Sequence, residues 1–569
     1  MICKNCNEDF TIDPEDFEFY KKINVPPPTF CWKCRFQRRL AYRNDRKPFW
    51  NTSAMSGKKI LSLYPPESGA SVYDEDEWNG DDWDALSYGR DYDFSRPFFE
   101  QMHEFAKTVP RPARSTEGNV NCDFNINIGF CKNCYLLSNS GESEDCAYGN
   151  EHSFCKTCFD CSHVTKCERS YGSLWVHNSY QSHFSSRSID NTSVMFCFAS
   201  KGLTNCFGCV NLVNKSYHIY NRPYSKEEYH QKIAAMRLNT WSGLQKAKAE
   251  AFAFAEKFPI AYLNGVLNDD VTGEFISNSK NVHYGYIVRG AKDCRYLQYA
   301  QVAKTEDSYD LTIWGQNVVG CYENAICGYG MSDCKFSLES WSEMRSSEYC
   351  MFSRNLADCF ACVGLRKKRY CILNKQYTKE EYEQLRSKII EKMKADGEYG
   401  EFFPIDHSSI PYNISLAQEY FPLAKEQALA KGYSWYDAPP SEHKPTMTAT
   451  QIPDAIEDVK DSILKEILEC IECQKVYRVI PMELAFLRQE KLPIPRQCPD
   501  CRHNERIAQR ASAFIEPRKC DCHGATSSNG VYKNFATHFH GSDPCPTEFL
   551  TSQRGPIVYC LQCLYPEAV

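Results

Sequence analysis

The feature that most constrains the fold is an internal duplication, because two segments 153 residues apart are nearly the same. Residues 205–229 read NCFGCVNLVNKSYHIYNRPYSKEEY, and residues 358–382 read DCFACVGLRKKRYCILNKQYTKEEY. Inside each half a shorter unit recurs at steps of mostly 9 to 15 residues, in which a polar residue precedes Cys or another small residue. The chain must therefore accommodate two related arrays of short, evenly spaced units.

The step length favours strands over helical repeats, since about 5 residues of strand and a bend fill one step. Asn, Asp and Gly at the joints suit tight bends. We therefore predict a mainly β fold with some α structure: a duplicated β-solenoid-like array flanked by zinc-binding modules of the treble-clef or ribbon type. Two steps are expected to make one coil. The alternative is a string of small metal-bound loops.

Composition limits the functional classes. The chain has 569 residues, 42% of them hydrophobic, and a net charge of −7, so no overall field attracts nucleic acid or membranes. The start, MICKNCNEDF, lacks the pattern of a secretion signal, and no apolar run is long enough for a membrane span. We expect a soluble cytoplasmic protein without membrane contacts. Its 32 cysteines then indicate metal ligands or buried thiols rather than disulfides.

Two CxxC pairs separated by 24 residues predict a first zinc site, because each pair directs two thiolates at one tetrahedral ion. The second pair starts a predicted helix over residues 35–43. The same module recurs 467 residues later, with matching Pro, Phe and Arg positions. The predicted zinc ligands of the two modules are Cys3, Cys6, Cys31, Cys34, Cys470, Cys473, Cys498 and Cys501.

The 467-residue match continues beyond the helix to Gly57 and Gly524. After a longer loop in the later copy, Val72-Tyr73 then matches Val558-Tyr559, and this alignment predicts a third zinc site in the later copy alone. Its predicted ligands are Cys520, Cys522, Cys560 and Cys563, with Cys545 and His540 as possible further ligands and His523 and His538 in the same loop. The earlier copy has Ser53, Met55, Asp74 and Glu77 at these positions, a poor zinc donor set, so packing should hold that segment instead. We therefore expect two to three Zn²⁺ ions per chain.

The cysteines of the arrays have two interpretations. Their density, as at Cys155, Cys158 and Cys161, resembles that of metal ligands. However, Val282 and Ser308 replace cysteine at equivalent joints, which a metal site would not tolerate. We therefore favour buried thiols that fill the interior of the arrays.

The helix predicted over residues 35–43 suggests a class of binding partner. Basic residues with interleaved aromatics can bind phosphates and stack on unpaired bases, which favours RNA or a ribonucleoprotein. The predicted nucleic-acid ligands are Arg35, Arg38, Arg39, Arg43, Arg46 and Lys47, with Arg366 to Arg369 as a second basic patch. The acidic residues within 74–84 leave the alternative that this helix docks inside the protein or on another protein.

The predicted organisation has eight segments. They are a first zinc module (1–50), a metal-free ribbon-like segment with an aromatic connector (51–118), a first array (119–224), a helical cap (225–262), a second array (263–377), helices and a linker (378–445), a second zinc module (446–510) and a third zinc module (511–569). Ser225 with Glu228, and Thr378 with Glu381, predict capping boxes that start helices beside the arrays.

The sequence contains no phosphate loop, nucleophile elbow or zinc-protease helix, and the predicted zinc sites have no open position. The predicted function is therefore a non-enzymatic zinc-binding scaffold that binds RNA or a ribonucleoprotein. A protein-interaction hub built on the arrays is one alternative. A carbohydrate-active solenoid enzyme is another, in which Asp293, Asp307, Asp310 and Asp333 would line a groove.

Four segments carry a resemblance to a known family: PPPTFCWKCRFQRRLAYRN, GRDYDFSRPFFEQ, the NCFGCVNL repeat with its continuation, and VYCLQCLYPEAV. They resemble an uncharacterised family of large zinc-ribbon proteins known mainly from uncultivated, small-genome bacteria. The resemblance spans essentially the whole chain and implies zinc binding without an established activity. Many family members have cysteines in the region of residues 53–77, so the departure here is consistent with a lost site.

Overall fold

The computed structural model describes residues 1–567, so the predicted third module extends two residues beyond the described part. The fold is a mixed α/β arrangement with many parallel strand pairs. The helices are Pro14–Lys22 (α1), Trp32–Leu40 (α2), Glu75–Asn79 (α3), Phe98–Thr108 (α4), Lys226–Ala235 (α5), Trp241–Ala255 (α6), Lys379–Asp396 (α7), Ala417–Tyr420 (α8), Lys425–Ala430 (α9), Pro481–Glu490 (α10), Pro499–Ala508 (α11) and Leu561–Leu564 (α12).

Short strands make up most of the two arrays. The first array has Thr116–Glu117, Ile126–Gly129, Ser138–Gly141, Asn150–Ser153, Ser162–Thr165, Leu174–His177, Tyr180–His183, Ser186–Ile189, Thr192–Met195, Thr204–Phe207, His218–Ile219 and Arg222–Pro223. The second has Gly265–Val266, Asp269–Ser277, Lys280–Arg289, Ala291–Arg295, Thr305–Glu306, Tyr309–Trp314, Val318–Val319, Tyr322–Cys327, Met331–Ser332, Cys371–Ile372 and Lys375–Gln376.

The remaining strands lie in the modules and the segments that join them. They are Phe49–Thr52, Lys59–Ser62, Val72–Tyr73, Arg111–Pro112, Ile260–Ala261, Leu468–Glu469, Val476–Tyr477, Glu516–Lys519, Cys522–His523, Thr526–Ser527, Glu548–Thr551 and Val558–Tyr559. The sequence match between Val72-Tyr73 and Val558-Tyr559 has a structural counterpart, because each pair forms a two-residue parallel bridge with another segment.

Apart from an antiparallel hairpin at the end of each array, the strands within an array pair in parallel. In the first array Val164 pairs with Val176, and the neighbouring bridges join Lys132 to Glu144 and Tyr135 to Ala147, all 12 residues apart. In the second array the offset is 11 to 14 residues, and Tyr309 pairs with Tyr322. One repeat unit therefore brings the chain back to pair with its own previous strand, whereas two units were expected from the sequence.

The backbone conformation explains this short period. Between residues 121 and 169, every third residue has a positive φ, as at Asn133, Leu136 and Asn139. Asn, Asp and Gly adopt this left-handed region at low cost, which accounts for their frequency at the joints. The chain turns at each such residue, so it makes several bends per 12-residue step instead of one.

Many of the residues that follow a bend are small and buried, although Leu137, His152 and Val164 occupy the same kind of position. The small polar ones accept a hydrogen bond from the backbone N–H 12 residues later, as Ser143 Oγ does from Cys155 (3.1 Å) and Cys146 Sγ from Cys158 (3.4 Å). Buried N–H groups that no strand partner reaches are satisfied in this way. Cys, Ser and Asn thus occupy interior positions because they are small and can accept a hydrogen bond.

The helices beside the arrays start where the sequence predicted. Both expected capping boxes are present, Ser225 with Glu228 and Thr378 with Glu381. Apolar residues of α5 and α6 pack on Phe198 and Val210 of the first array. Residues of α7 pack with the second array in the largest apolar cluster. These helices cover apolar array surface that would otherwise face water.

Candidate metal centres

The first two predicted cysteine quartets are each brought together in the structure. The sulfur atoms of Cys3, Cys6, Cys31 and Cys34 lie within 4.8 Å of one another, and so do those of Cys470, Cys473, Cys498 and Cys501. Sulfur ligands at 2.3 Å from a tetrahedral zinc ion are about 3.8 Å apart. The Cys6–Cys31 and Cys473–Cys498 sulfur distances are 4.0 and 3.7 Å. The donor sets and their spacing fit zinc.

Local structure places these thiols in the same way in both modules. The backbone N–H of Cys31 donates to Cys3 Sγ at 3.2 Å, and that of Cys498 donates to Cys470 Sγ at 3.2 Å. Cys31 and Cys498 are the N-caps of α2 and α11. The thiol of Cys34 hydrogen-bonds to Cys31 and lowers the pKa of Cys31 to about 5. A thiolate, the form that binds metal, is thus favoured at this position.

The third module brings together more potential metal ligands than the predicted quartet. Cys520, Cys545, Cys560 and Cys563 lie within 4.8 Å of one another, so Cys545 takes the place expected for Cys522. Cys522 instead groups with His538, His540 and Cys563. The loop after residue 523 returns so that the Cys545 N–H donates to Cys522 O at 2.8 Å. This return path brings Cys545 to the quartet, and the sequence spacing does not reveal it.

The equivalent positions of the earlier copy hold a hydrogen bond instead of a thiol cluster. Ser53 Oγ donates to Glu77 Oε2, where the later copy has Cys520 and Cys563. This bond and that from Ser56 lower the pKa of Glu77. Ile60 and Val72 pack into an apolar cluster beside it. Packing and hydrogen bonding therefore hold the segment that the sequence analysis expected to lack zinc.

The array cysteines behave as interior thiols. Cys158 Sγ is 3.4 Å from the carbonyl oxygens of Lys156 and Cys167, to which its thiol can donate. Within residues 1–567, the groups of three or more ligand atoms lying within 4.8 Å are confined to the three modules. All 32 cysteines, which fall in the described range, are free thiols. The arrangement agrees with the interpretation that these thiols fill the arrays.

The arginines predicted to bind nucleic acid lie inside the protein, which corrects that expectation. Arg35, Arg38 and Arg39 are only 2%, 3% and 1% exposed. Arg35 and Arg39 contact Asp310 at 2.9 and 3.1 Å, and Arg38 contacts Glu323 at 2.7 Å. A guanidinium already paired with a buried carboxylate is not available to phosphates. The helix docks on the second array, as the internal alternative required.

The other basic residues predicted to bind nucleic acid either contact carboxylates or lie apart from one another. Arg43 is buried and contacts Asp45 at 2.6 Å, while the partly exposed Arg46 contacts Asp500 at 2.9 Å. Lys47 alone of the six is exposed. In the second patch, Arg366 lies 4.3 Å over the Trp78 ring. The six residues of the predicted helix patch therefore do not form a continuous basic surface, whereas Lys367 and Arg369 of the second patch are exposed.

The second module docks in the same manner on the first array. Arg502 and Arg506, which match Arg35 and Arg39 in sequence, contact Asp160 at 3.0 and 3.1 Å. Phe19 of the first module stacks on Tyr309 at 3.8 Å between ring centroids, and its match Phe486 stacks on Phe159 at 4.5 Å. Neither carboxylate was given this role from the sequence, in which Asp160 was not singled out and Asp310 was placed in a possible groove. The shared signal is an aromatic residue followed by Asp in each array.

A cleft of about 1060 Å³ separates the two arrays. Its lining includes Asn150, His163 and Trp175 of the first array and Trp314 and Trp341 of the second. Asn150 Oδ1, His163 Nε2 and Trp175 Nε1 are buried without a hydrogen bond partner. Of the four carboxylates expected in a groove, Asp310 is buried against Arg35 and Arg39. The cleft is thus lined by aromatic residues, and three of its lining residues carry buried polar atoms without a hydrogen bond partner.

Comparisons with known proteins identify no family. No protein-family model and no curated protein matches the chain. Among solved structures, one from Desulfovibrio desulfuricans G20, provisionally named an acetyltransferase, aligns with 9% identity and a TM-score of 0.11. The alignment covers 42% of this chain and 64% of that one, less than two thirds of its length. A TM-score this low carries no information on fold or activity.

No helix within residues 1–567 combines the length and the hydrophobicity that crossing a bilayer requires.

Proposed function

We propose that this protein is a zinc-binding scaffold in which two modules fasten a pair of β-solenoid arrays to each other. The observation that carries the proposal is the repeated docking: matched arginines of the two modules bind Asp310 in one array and Asp160 in the other. The 12-residue parallel register supports a solenoid for each array. The cysteine quartets support zinc as the element that keeps each module folded.

Each quartet would hold zinc through protein side chains alone. Bound zinc would supply a fixed tetrahedral crosslink between the CxxC turn and the start of the following helix. That crosslink positions α2 and α11, whose arginines face the arrays. RNA binding is not part of the proposed function, because the arginines that predicted it are paired with carboxylates inside the protein.

Metal analysis of the purified protein tests this function. We expect a zinc ion in each of the two quartets and a loss of folded protein when a chelator removes zinc. A paired substitution, Cys470→Ser with Cys473→Ser, should remove one ion and release the first array from the second module. Cys122→Ser, in a partly exposed array cysteine, is the matched control. Zinc-free protein that unfolds at the same denaturant concentration would contradict the proposal.

A second candidate function is binding of a soluble oligosaccharide in the cleft between the arrays, without a catalytic role. The specific observation is that Trp175 Nε1 and His163 Nε2 are unpaired polar atoms in an aromatic cleft. His163 is held by a 2.7 Å contact to Glu151 and stacks on Trp175 at 3.9 Å. Aromatic faces with a few placed polar atoms are typical of small-ligand sites.

Titration with maltose, cellobiose and chitobiose, followed by tryptophan fluorescence and calorimetry, tests this second function. We expect saturable binding of at least one sugar, weakened about tenfold by Trp175→Phe, which replaces the indole with a smaller aromatic ring and removes the donor. Trp50→Phe, which is outside the cleft lining, serves as the control. Absence of binding by all three sugars would contradict it.

A further inference from the structure

We infer that the third module binds two zinc ions that share one bridging thiolate, Cys563. The inference rests on the proposed zinc-binding function and adds a site to it. Cys563 belongs to both ligand groups, one with Cys520, Cys545 and Cys560 and the other with Cys522, His538 and His540. In each group all ligand atoms lie within 4.8 Å of one another.

The distances fit two adjoining tetrahedral sites. Cys563 Sγ is 3.7 Å from Cys545 Sγ, and Cys545 Sγ is 3.9 Å from Cys560 Sγ, close to the separation of about 3.8 Å for zinc thiolates. On the other side, Cys563 Sγ is 3.4 Å from His540 Nε2. A thiolate and an imidazole on the same zinc ion are about 3.5 Å apart. The Cys563 sulfur therefore has the spacing of a ligand in both groups.

A single ion cannot account for this cluster. A tetrahedral zinc ion takes four ligands, which leaves Cys522, His538 and His540 clustered without a role. His538 is 5% exposed, and within residues 1–567 neither of its ring nitrogens has a hydrogen bond partner. Its Nε2 lies 3.2 Å from Glu567 Oε1 without hydrogen bond geometry. A buried imidazole without a partner is costly unless a ligand occupies it.

Surrounding groups orient the second set for metal binding. His540 Nδ1 is 2.6 Å from Asp543 O, so an Nδ1–H donor there leaves Nε2 free for the ion. Asn534 Nδ2 donates to Cys522 Sγ at 3.3 Å, which stabilises a thiolate. Mixed nitrogen and sulfur ligands favour zinc among the common divalent ions. Four protein ligands around each ion leave no open position, so the pair is structural.

Charge also favours sharing a ligand. Five thiolates and two neutral imidazoles around two Zn²⁺ ions carry a net charge of −1, whereas a zinc ion with four thiolates carries −2. Burial penalises net charge. One bridging sulfur therefore lets a buried cluster hold two ions with less uncompensated charge than two separate quartets would have.

Zinc counting on the full chain tests the inference. We expect four zinc ions per chain: one in each of the two quartets and two in the third module. His538→Ala with His540→Ala should lower the count by one, and His523→Ala, an exposed histidine of the same loop, should leave it unchanged. A wild-type count of three with both quartets filled, or no change in the double variant, would overturn the inference.

Cobalt substitution of the wild-type protein provides a second readout that tests the bridge without any variant. Two Co²⁺ ions joined by one thiolate couple magnetically, so the wild-type electron paramagnetic resonance signal should be smaller than four isolated ions give. The double histidine variant should restore the signal per bound ion. Additive signals in the wild type would exclude a bridge. A count that falls only when the quartets are altered would overturn this inference alone, whereas a count that quartet substitutions leave unchanged would show failure of the proposed function.

Discussion

The first and second modules dock on the arrays through matched residues, but the matched arginines Arg39 and Arg506 face different numbers of carboxylates. Arg39 of the first module contacts both Asp310 and Glu323, each at 3.1 Å. Arg506 of the second module contacts Asp160, and within residues 1–567 it pairs with no other carboxylate. Each interface is buried, so charge balance matters in both. Arg39 therefore has a reserve carboxylate that Arg506 lacks. In the second module it is Arg502 that has a second carboxylate, Glu483 at 2.6 Å.

The modules also diverge at one matched position on the docking helix. Arg38 contacts Glu323 and Glu401 at 2.7 Å each, whereas its match in the second module is Glu505, which contacts Lys248 of α6. The Arg–Asp contact and the aromatic stack are common to both modules, while the contacts around them differ. The shared elements are thus the minimal docking unit, and the others adapt each module to its neighbours.

Loss of a zinc ligand should have the largest effect and should affect both modules alike. Cys31→Ser and Cys498→Ser each remove one ligand from a quartet. Structural zinc contributes about 10–16 kcal/mol in isolated zinc-finger peptides, so we expect each variant to lose one ion and several kcal/mol of unfolding free energy. Zinc analysis and guanidinium unfolding measure this. Unequal losses would show that one module does not depend on its metal.

Asp160→Asn should have the next largest effect, because it leaves Arg506 buried without a carboxylate. Removing one partner of a buried ion pair costs about 3–5 kcal/mol. Urea unfolding of the variant measures the change, with the exposed Asp333→Asn as a control for substitution in an array. A loss below about 1 kcal/mol would mean that water or another group replaces Asp160.

Asp310→Asn should cost less than Asp160→Asn, about 1–3 kcal/mol, because Glu323 still faces Arg39. Combining it with Glu323→Gln removes the reserve partner. The double variant should then lose more than the sum of the two single variants, as residues of one ion-pair cluster are not independent. A double-mutant cycle in urea measures the difference. Strict additivity would contradict the reserve role of Glu323.

The smallest effect on stability is expected for a substitution at Glu77, in the earlier copy, which stands where the later copy has a cysteine of its thiol cluster. The pKa of Glu77 is lowered below its ordinary value of 4.5 by the bond from Ser53. A depressed folded-state pKa stabilises the fold above the unfolded pKa, and this contribution disappears as pH falls through the folded pKa. Glu77→Gln should therefore be slightly less stable than wild type at pH 7. The difference should vanish well below pH 4.5, as thermal unfolding at each pH would show.

Local spacing made several features predictable from the sequence. The CxxC pairs at Cys3 and Cys31 predict a quartet because a two-residue gap constrains both thiols to one ion. Ser225 and Glu228 predict a helix start for an equally local reason. The loss of the thiol cluster at Ser53 followed from aligning the two copies. Each of these inferences depends on residues near one another or on the duplication itself.

Long-range geometry was not predictable in this way. Arg39 meets Glu323 across 284 residues, and no local pattern pairs them. The basic helix resembles a nucleic-acid ligand in sequence because its compensating carboxylates lie in another segment. The number of repeat units between paired strands was also misjudged, because a bend at every third residue is not a standard strand pattern. Cys545 joined the quartet through a loop path that spacing does not determine.

The second module docks on the first array, which lies much earlier in the chain, and this order has a consequence for synthesis on the ribosome. Asp160 precedes Arg506 by 346 residues, so its partner emerges only after most of the chain has been translated. At bacterial and eukaryotic elongation rates this interval is about 17–70 s. During that time the nascent first array presents an unpaired carboxylate beside the bare ring of Phe159. Chaperones that bind nascent chains can act on this surface during that interval, which ends when α11 has been synthesised and pairs with Asp160.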